Sequence, residues 1–163
     1  MPYNNIVRLL INKYAQRINQ VEYMVGLGES YYFPIFEQAL AKYDLPMELK
    51  YLPIIESALN SKAISRAGAG GLWQFMVGTA KMYDLQVNSL VDDRFDPKKS
   101  SEAAVRYLRD LYAIYNDWHL VIAAYNCGPG NVARAIRKAG GKTGYWDIYP
   151  YLPRETRGYV PIF

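Results

Sequence analysis

Cysteine and histidine are almost missing from this chain: there is one of each in 163 residues. The lone Cys127 excludes an internal disulfide framework. With His119 as the single histidine, a Cys/His metal cluster is excluded too, and no cofactor or metal is expected. Long hydrophobic runs are also absent, so nothing here is read as a membrane span. Met1-Pro2-Tyr3-Asn4-Asn5 lacks the basic start and apolar stretch of a signal peptide. Charge of one sign is scarce as well. The formal net charge is only +4, and the basic residues form short groups: Lys98-Lys99, Arg134 with Arg137-Lys138, and Arg154 with Arg157. Such groups complement helix C-termini. They do not make the clustered basic stripe of a nucleic-acid binder, so no nucleic-acid partner is expected.

What the chain has in quantity is tyrosine, sixteen of them. A tyrosine joins a flat apolar face to a polar tip, which suits half-wet cores and sugar-binding grooves alike. The hydrophobic and charged fractions, 51% and 21%, are those of an ordinary globular protein. A chain of this length can bury roughly two thirds of its unfolded surface without a staple.

The apolar periodicity is helical almost throughout, with no strand-period run of useful length and no internal repeat. Val7, Leu10, Ile11, Tyr14, Ile18 and Val21 mark a leading helix, capped by Asn4 or Asn5. Gly26-Leu27-Gly28 reads as a break. A helix through Tyr32, Ile35, Phe36, Ala39, Leu40 and Tyr43 follows, with Pro34 in its first turn. Asp44-Leu45-Pro46 separates it from a helix carrying Leu49, Leu52, Ile55 and Leu59. Pro53 falls inside that helix, where it should free the carbonyl of Leu49 and bend the axis; the alternative is a helix that breaks early.

Residues 60 to 71 form a Ser/Ala/Gly-rich loop able to pass close to a ligand or to another backbone, with room for a short irregular hairpin. A helix is expected from Leu72 to Met82, with Trp73, Met76, Ala80 and Tyr83 turned inward. Beyond a loop from Asp84 to Asp96, Pro97 opens the next helix or Ser100 or Ser101 caps it. Its stripe is Ala104, Val105, Leu108, Leu111, Tyr112 and Tyr115, and Asn116-Asp117 breaks it. The segment Trp118, Val121, Ile122 and Tyr125 is apolar nearly all round and therefore central. Cys127-Gly128-Pro129-Gly130 ends it. A helix from Asn131 stops at Gly140-Gly141, a tyrosine-rich loop or turn spans Gly144 to Pro153, and Arg154 to Val160 forms a last helix. The economical reading is one all-α domain, residues 1–163, with residues 1–30 as a helical extension packed on it.

Chemistry is concentrated at Glu56. Leu52, Pro53, Ile54 and Ile55 precede it, and apolar surroundings favour a protonated carboxyl. That is what a general acid needs in order to protonate a glycosidic oxygen near neutral pH. An ordinary solvent-facing glutamate is the competing reading. Most glycosidases use two carboxylates, and no second one is obvious; Asp84, Asp92, Asp93 and Asp96 lie in a later loop. One acid suffices when an N-acetyl sugar supplies its own acetamido oxygen as nucleophile. Ser57, Asn60 and Ser65 can hold sugar hydroxyls or brace the loop, with bracing favoured for Ser57 and Asn60. Gln74 can turn its amide to a sugar. Trp73 can stack on a ring but suits a core better. Tyr125-Asn126 closes an apolar helix, so this polar pair faces something specific. His119 is read as structural.

Glu56-Ser57 with Asn60, Ala63, Ser65, Gly68-Ala69 and Gly71-Leu72-Trp73-Gln74, then Thr79-Ala80, form one block. Ala124-Tyr125-Asn126 with Gly128 and Gly130 form another. Glu155-Thr156-Arg157 with Tyr159-Val160 form the third. In this order they resemble the catalytic domain of lytic murein transglycosylases, soluble and membrane-bound, and most of all the membrane-bound type D branch. The resemblance runs from about Tyr32 to the C-terminus.

The resemblance implies an all-α, goose-type-lysozyme-like fold around a groove for peptidoglycan glycan strands. It implies catalysis by Glu56 alone, first as acid on the oxygen between N-acetylmuramic acid and N-acetylglucosamine. The same carboxylate then acts as base on the C6 hydroxyl, which closes onto C1 to leave a 1,6-anhydro end. By the same resemblance Ser65, Gln74, Tyr125, Asn126 and Tyr159 bind substrate, and Ser57, Asn60, Thr156 and Arg157 support them. A monomer in the bacterial periplasm or cell envelope is implied, attached to a membrane only through segments outside this chain. Val77 and Asp84 depart from many relatives, which carry proline and glycine there; this touches local backbone shape. The wall-binding repeats common in the type D branch do not follow Pro161-Ile162-Phe163, so a domain of a longer protein is expected. A hydrolytic muramidase on the same fold and a non-catalytic wall-binding protein are the alternatives.

Overall fold

The computed structural model describes residues 4–15 and 18–163. The apolar face read through Tyr14, Ile18 and Val21, and the leader reading of residues 1–3, lie outside what is described. The α-helices are α1 (Asn5–Ala15), α2 (Ile18–Leu27), α3 (Phe33–Lys42), α4 (Leu52–Ser57), α5 (Val77–Met82), α6 (Pro97–Tyr115), α7 (Trp118–Cys127), α8 (Pro129–Lys138), α9 (Tyr145–Ile148) and α10 (Arg154–Ile162). Among the described residues there is no sheet, only isolated bridges that pair Ile64 with Gly70, Gly70 with Phe75 and Val87 with Asp92. None of the described helices is long and apolar enough to cross a membrane. The chain divides into two compact units, Arg17–Arg109 and Met1–Gln16 with Asp110–Phe163.

In the Arg17–Arg109 unit, the expected break at Gly26-Leu27-Gly28 does not occur. The helix continues from α2 through a π-helical turn, Gly28–Tyr32, straight into α3. Gly28 is needed there for space, since a Cβ would lie 2.4 Å from the Phe33 ring. Glycine signalled a close ring contact, and was misread as a stop. Pro34 occupies the first turn of α3. Phe33 then packs edge-on against Tyr51 (5.5 Å between centroids), and Phe36 does the same against Trp73 (5.1 Å). Phe33, Phe36, Leu40, Leu49, Leu52, Leu72, Trp73 and Leu108 are almost wholly buried. Burial of this kind contributes about 1.5–3 kcal/mol per large side chain.

The expected Pro53 kink is likewise replaced by a change of helix type. Met47–Tyr51 is a 3₁₀ turn, and Leu52 donates its N–H to the Leu49 carbonyl. Pro53, with no N–H to give, sits in the first turn of α4, and the Leu49 carbonyl is not left unpaired. The helix expected over Leu72–Met82 starts only at Val77. Leu72 to Gln74 turn, Phe75 pairs back to Gly70, and Met76 is exposed at 48% where an inward position was expected. Asp96 caps α6, its Oδ1 accepting the N–H groups of Lys98 and Lys99 at 2.9 Å. Pro97 opens that helix. Ser100 and Ser101, expected as possible caps, are fully buried one turn in, bonded to the carbonyls of Asp96 and Pro97.

The other unit is built on α7, whose residues Leu120 to Ala124 are all buried. Helices α8 and α10 pack on α7, and α1 packs on α10. Asn4 caps α1 by accepting the N–H groups of Ile6 and Val7 at 3.0 Å. Helix α8 begins at Pro129, two residues before the expected Asn131. The segment Gly144 to Pro153 holds α9 and a 3₁₀ turn, Tyr149–Tyr151. His119 has a structural partner: its Nδ1 lies 3.1 Å from Asp117 Oδ1. The Cys127 thiol is half-buried, and burial pushes its pKa up.

Asp117 Oδ1 also accepts the His119 N–H at 2.7 Å and the Leu120 N–H at 3.4 Å, capping α7. Asp117→Ala should lower stability by about 1 kcal/mol, read as a lower urea midpoint at unchanged slope.

Candidate functional site

Glu56 is the fifth of the six residues of α4, half-buried, on a helix anchored by the buried Leu52 and Pro53. The chain then does something costly. Ala58 and Leu59 are both left-handed, at φ 51° and 60°, a conformation that costs roughly 1–2 kcal/mol per non-glycine residue. Leu59 is held there by burial (3% exposed) and by its N–H, which reaches the Pro53 carbonyl at 3.3 Å. Helix α4 is thus stopped abruptly one residue after Glu56.

Ser57 ties this end to the glycine loop. Its Oγ lies 2.9 Å from the Pro53 carbonyl and 2.9 Å from the Leu72 carbonyl. Asn60 accepts the Lys62 N–H at 2.9 Å and closes the first turn of the loop. Ser65 accepts the Ala69 N–H on its Oγ at 3.0 Å, and its own N–H donates to the Ala69 carbonyl. Gln74, at φ 50°, donates its amide N–H to the carbonyls of Gly71 (2.8 Å) and Ala63 (3.3 Å). Trp73 is fully buried and donates Nε1–H to Ser101 Oγ at 2.9 Å. Glu56, Ser57, Asn60, Ser65 and Gln74 therefore share one braced segment within the Arg17–Arg109 unit.

Sequence reasoning missed the residue that holds this segment from behind. Arg94 is only 7% exposed. Its Nε and Nη2 donate to the two oxygens of Asp92 at 2.9 and 2.7 Å, while Nη1 donates to the carbonyls of Gly68 (2.7 Å) and Phe75 (3.0 Å). Its own carbonyl passes so near Gly71 that a Cβ there would meet it at 1.9 Å. The paired glycines were the available signal, since glycine is required where two backbones meet.

The loop acids are similarly occupied. The Arg94 guanidinium beside Asp92 holds that carboxyl below its ordinary pKa, and the Arg94 backbone N–H adds to the effect. Lys99 first, then the Gln86 N–H, do the same for Asp93. Asp84 pairs with Arg106 at 3.0 Å, and Asp96 caps α6. A cavity of about 410 Å³ between α3 and α6 is lined by Ile35, Gln38, Ala39, Lys42, Lys98 and Glu102, none of them a candidate site residue. Among the described residues, no group of His, Cys, Asp and Glu could hold a metal.

The remaining candidates belong to the second unit. Tyr125 is half-buried near the end of α7. Asn126 Oδ1 accepts the Thr156 hydroxyl at 2.8 Å, fastening α10 to α7. Thr156 and Tyr159 are buried, at 1% and 7% exposure. Arg157 donates to the carbonyls of Leu152 and Pro150 at 2.9 and 2.6 Å and lies over the Tyr149 ring.

Comparison with known proteins places this geometry in context. Residues 33–148 match the model of the transglycosylase SLT domain. The chain is 38% identical over 165 residues to membrane-bound lytic murein transglycosylase D of Escherichia coli (strain K12), covering 99% of this chain and 36% of that protein. It thus spans about a third of that curated relative. Among solved structures, the 70 kDa soluble lytic transglycosylase of Escherichia coli aligns with a TM-score of 0.67 and 30% identity, over 79% of this chain and 22% of that one. An inactive glutamate-to-glutamine mutant of lytic transglycosylase Slt from Pseudomonas aeruginosa aligns at 0.63 and 25% identity, over 78% and 22%. The all-α architecture is the one these solved structures share.

A carboxylate whose folded pKa is depressed stabilises the fold above its unfolded pKa, and that stability is lost as pH falls through the folded value. Asp92 and Asp93 both have this sign. Stability should therefore decline below the ordinary carboxylate range. The decline should be shallower in Asp92→Asn, as followed by urea midpoints across an acid pH series.

Proposed function

The chain belongs to the transglycosylase SLT domain family, and from that premise we propose that it is a peptidoglycan lytic transglycosylase, a non-hydrolytic lyase, with Glu56 as its single catalytic carboxylate. The observation that carries the reading is the placement of Glu56. It is half-buried in the last turn of α4, beside a glycine loop braced through Ser57. The Slt relative is inactive as a glutamate-to-glutamine mutant, which supports the need for one glutamate carboxyl in a structural relative.

In the proposed reaction Glu56 gives its proton to the oxygen linking N-acetylmuramic acid to N-acetylglucosamine. The acetamido oxygen of the muramic sugar supports C1 as the bond breaks, giving an oxazolinium-like intermediate. Glu56, now a carboxylate, takes the proton of the C6 hydroxyl, whose oxygen bonds to C1 as the acetamido oxygen leaves it. The proton returns to Glu56, no water is consumed, and the new end is a 1,6-anhydro sugar. That the other candidate carboxylates are structural supports the use of one group for both transfers: Asp92 and Asp93 are ion-paired, Asp84 is paired and Asp96 is a cap.

Tyr125 assists the intermediate in this reading. Ser65, Gln74, Asn126 and Tyr159 contact the glycan, and Ser57, Asn60, Thr156 and Arg157 hold the backbone that presents them. The 163 residues act as one catalytic domain and as a monomer. The setting is the bacterial periplasm or cell envelope, with any membrane anchor in a segment outside this chain.

Glu56→Gln should nearly abolish release of anhydro-ended fragments from peptidoglycan while leaving folding and wall binding largely intact. Mass spectrometry of the digest checks it. An undiminished rate removes Glu56 from the mechanism, and products one water heavier make the enzyme a muramidase. Tyr125→Phe should lower turnover more than thermal stability, compared by initial rate and melting temperature.

A further inference from the structure

We propose that Arg94, anchored by Asp92, is a positioning residue for the sugar-binding loop; this rests on the reading of the chain as a glycan-cleaving enzyme. The guanidinium reaches the loop at two points from one atom. Nη1 donates to the carbonyl of Gly68, before the paired glycines, and to that of Phe75, just after Gln74. These two contacts fix the ends of the segment that contains Gly70, Gly71, Leu72, Trp73 and Gln74. Between them the guanidinium carbon packs against Gly70, at 3.1 Å from where a Cβ would stand, and the Arg94 carbonyl lies against Gly71.

Asp92 holds the other edge of the fork with two parallel bonds, at 2.9 and 2.7 Å. The plane of the guanidinium is therefore set before it meets the loop. From the loop the constraint passes on. The Leu72 carbonyl is bonded to Ser57, the neighbour of Glu56, and the Gly71 carbonyl is bonded to the Gln74 amide. One buried cation thus sets the distance between the acid-bearing helix end and the Gln74 side chain.

Lysine cannot replace it. A single ammonium has no planar fork and cannot grip both Asp92 oxygens while also spanning two carbonyls on the opposite side. A displacement of about 1 Å in such a frame is enough to cost a large factor in rate or binding.

The test compares Glu56→Gln with Glu56→Gln carrying Arg94→Lys, both titrated with soluble uncleaved glycan strands, alongside amide hydrogen exchange. Arg94→Lys in the active enzyme supplies KM and kcat. Expected are binding weakened about tenfold, KM raised by a similar factor with kcat changed less than about threefold, and faster exchange at Gly70, Gly71 and Phe75. Leu108→Ala, at a buried residue of α6 that makes none of these bonds, is the stability control and should leave KM within about twofold. Unchanged affinity in the Arg94→Lys protein overturns the proposal, and so does an equal rise of KM in Leu108→Ala. If Arg94→Lys does not fold, Asp92→Asn takes its place with binding weakened about threefold, and unchanged affinity there is equally fatal. A parent enzyme that leaves the strands uncut refutes the functional reading. An active parent with a silent Arg94→Lys refutes this inference alone.

Discussion

Backbone meets backbone at Gly71 and the Arg94 carbonyl, and the candidate site depends on that contact. No side chain fits between them: a Cβ on Gly71 would stand 1.9 Å from the carbonyl oxygen. The approach lets the Arg94 guanidinium reach round to Gly68 and Phe75. It also places the Leu72 carbonyl where Ser57 Oγ can meet it. A buried charge is costly unless it is paired and hydrogen-bonded. Here the bonds run to one carboxylate and two carbonyls, all supplied within the same unit.

Glu56 inherits its setting from that frame and from local strain. A helix of ordinary length would carry the acid in its middle and present its flank. Here α4 ends one residue after Glu56, and two left-handed residues turn the chain away. The strain is sustained by the buried Leu59 and by the long bond from its N–H to the Pro53 carbonyl. Over-determined surroundings of this kind can hold an otherwise unfavourable backbone geometry.

The fold was legible in the sequence wherever apolar spacing alone decides the outcome. The stripes through Phe36, Ala39 and Leu40 and through Ala104, Val105 and Leu108 became buried faces of α3 and α6. The apolar segment at Val121 became the centre of its unit. Misreadings cluster where glycine, proline and serine have two local meanings. Gly28 makes room for a ring instead of ending a helix, Pro53 starts one instead of bending it, and Ser100 and Ser101 bond back to the turn before them instead of capping it. Glu56 stands out as a candidate because a carboxylate after four apolar residues is conspicuous. Arg94 was not, since no local pattern separates an arginine that will be buried by distant carbonyls from one that will face water.

The π-helical turn at Gly28–Tyr32 has a consequence for how the chain tolerates insertion and deletion. A π turn holds one residue more than the helix around it requires. Removing one residue from it would restore the regular repeat and leave the upstream turns facing nearly the same way, because five residues of the wider turn sweep about the arc of four in an α-helix. Length within these five positions is therefore the looser restraint. The tighter one is the space at Gly28, where a side chain would meet the Phe33 ring.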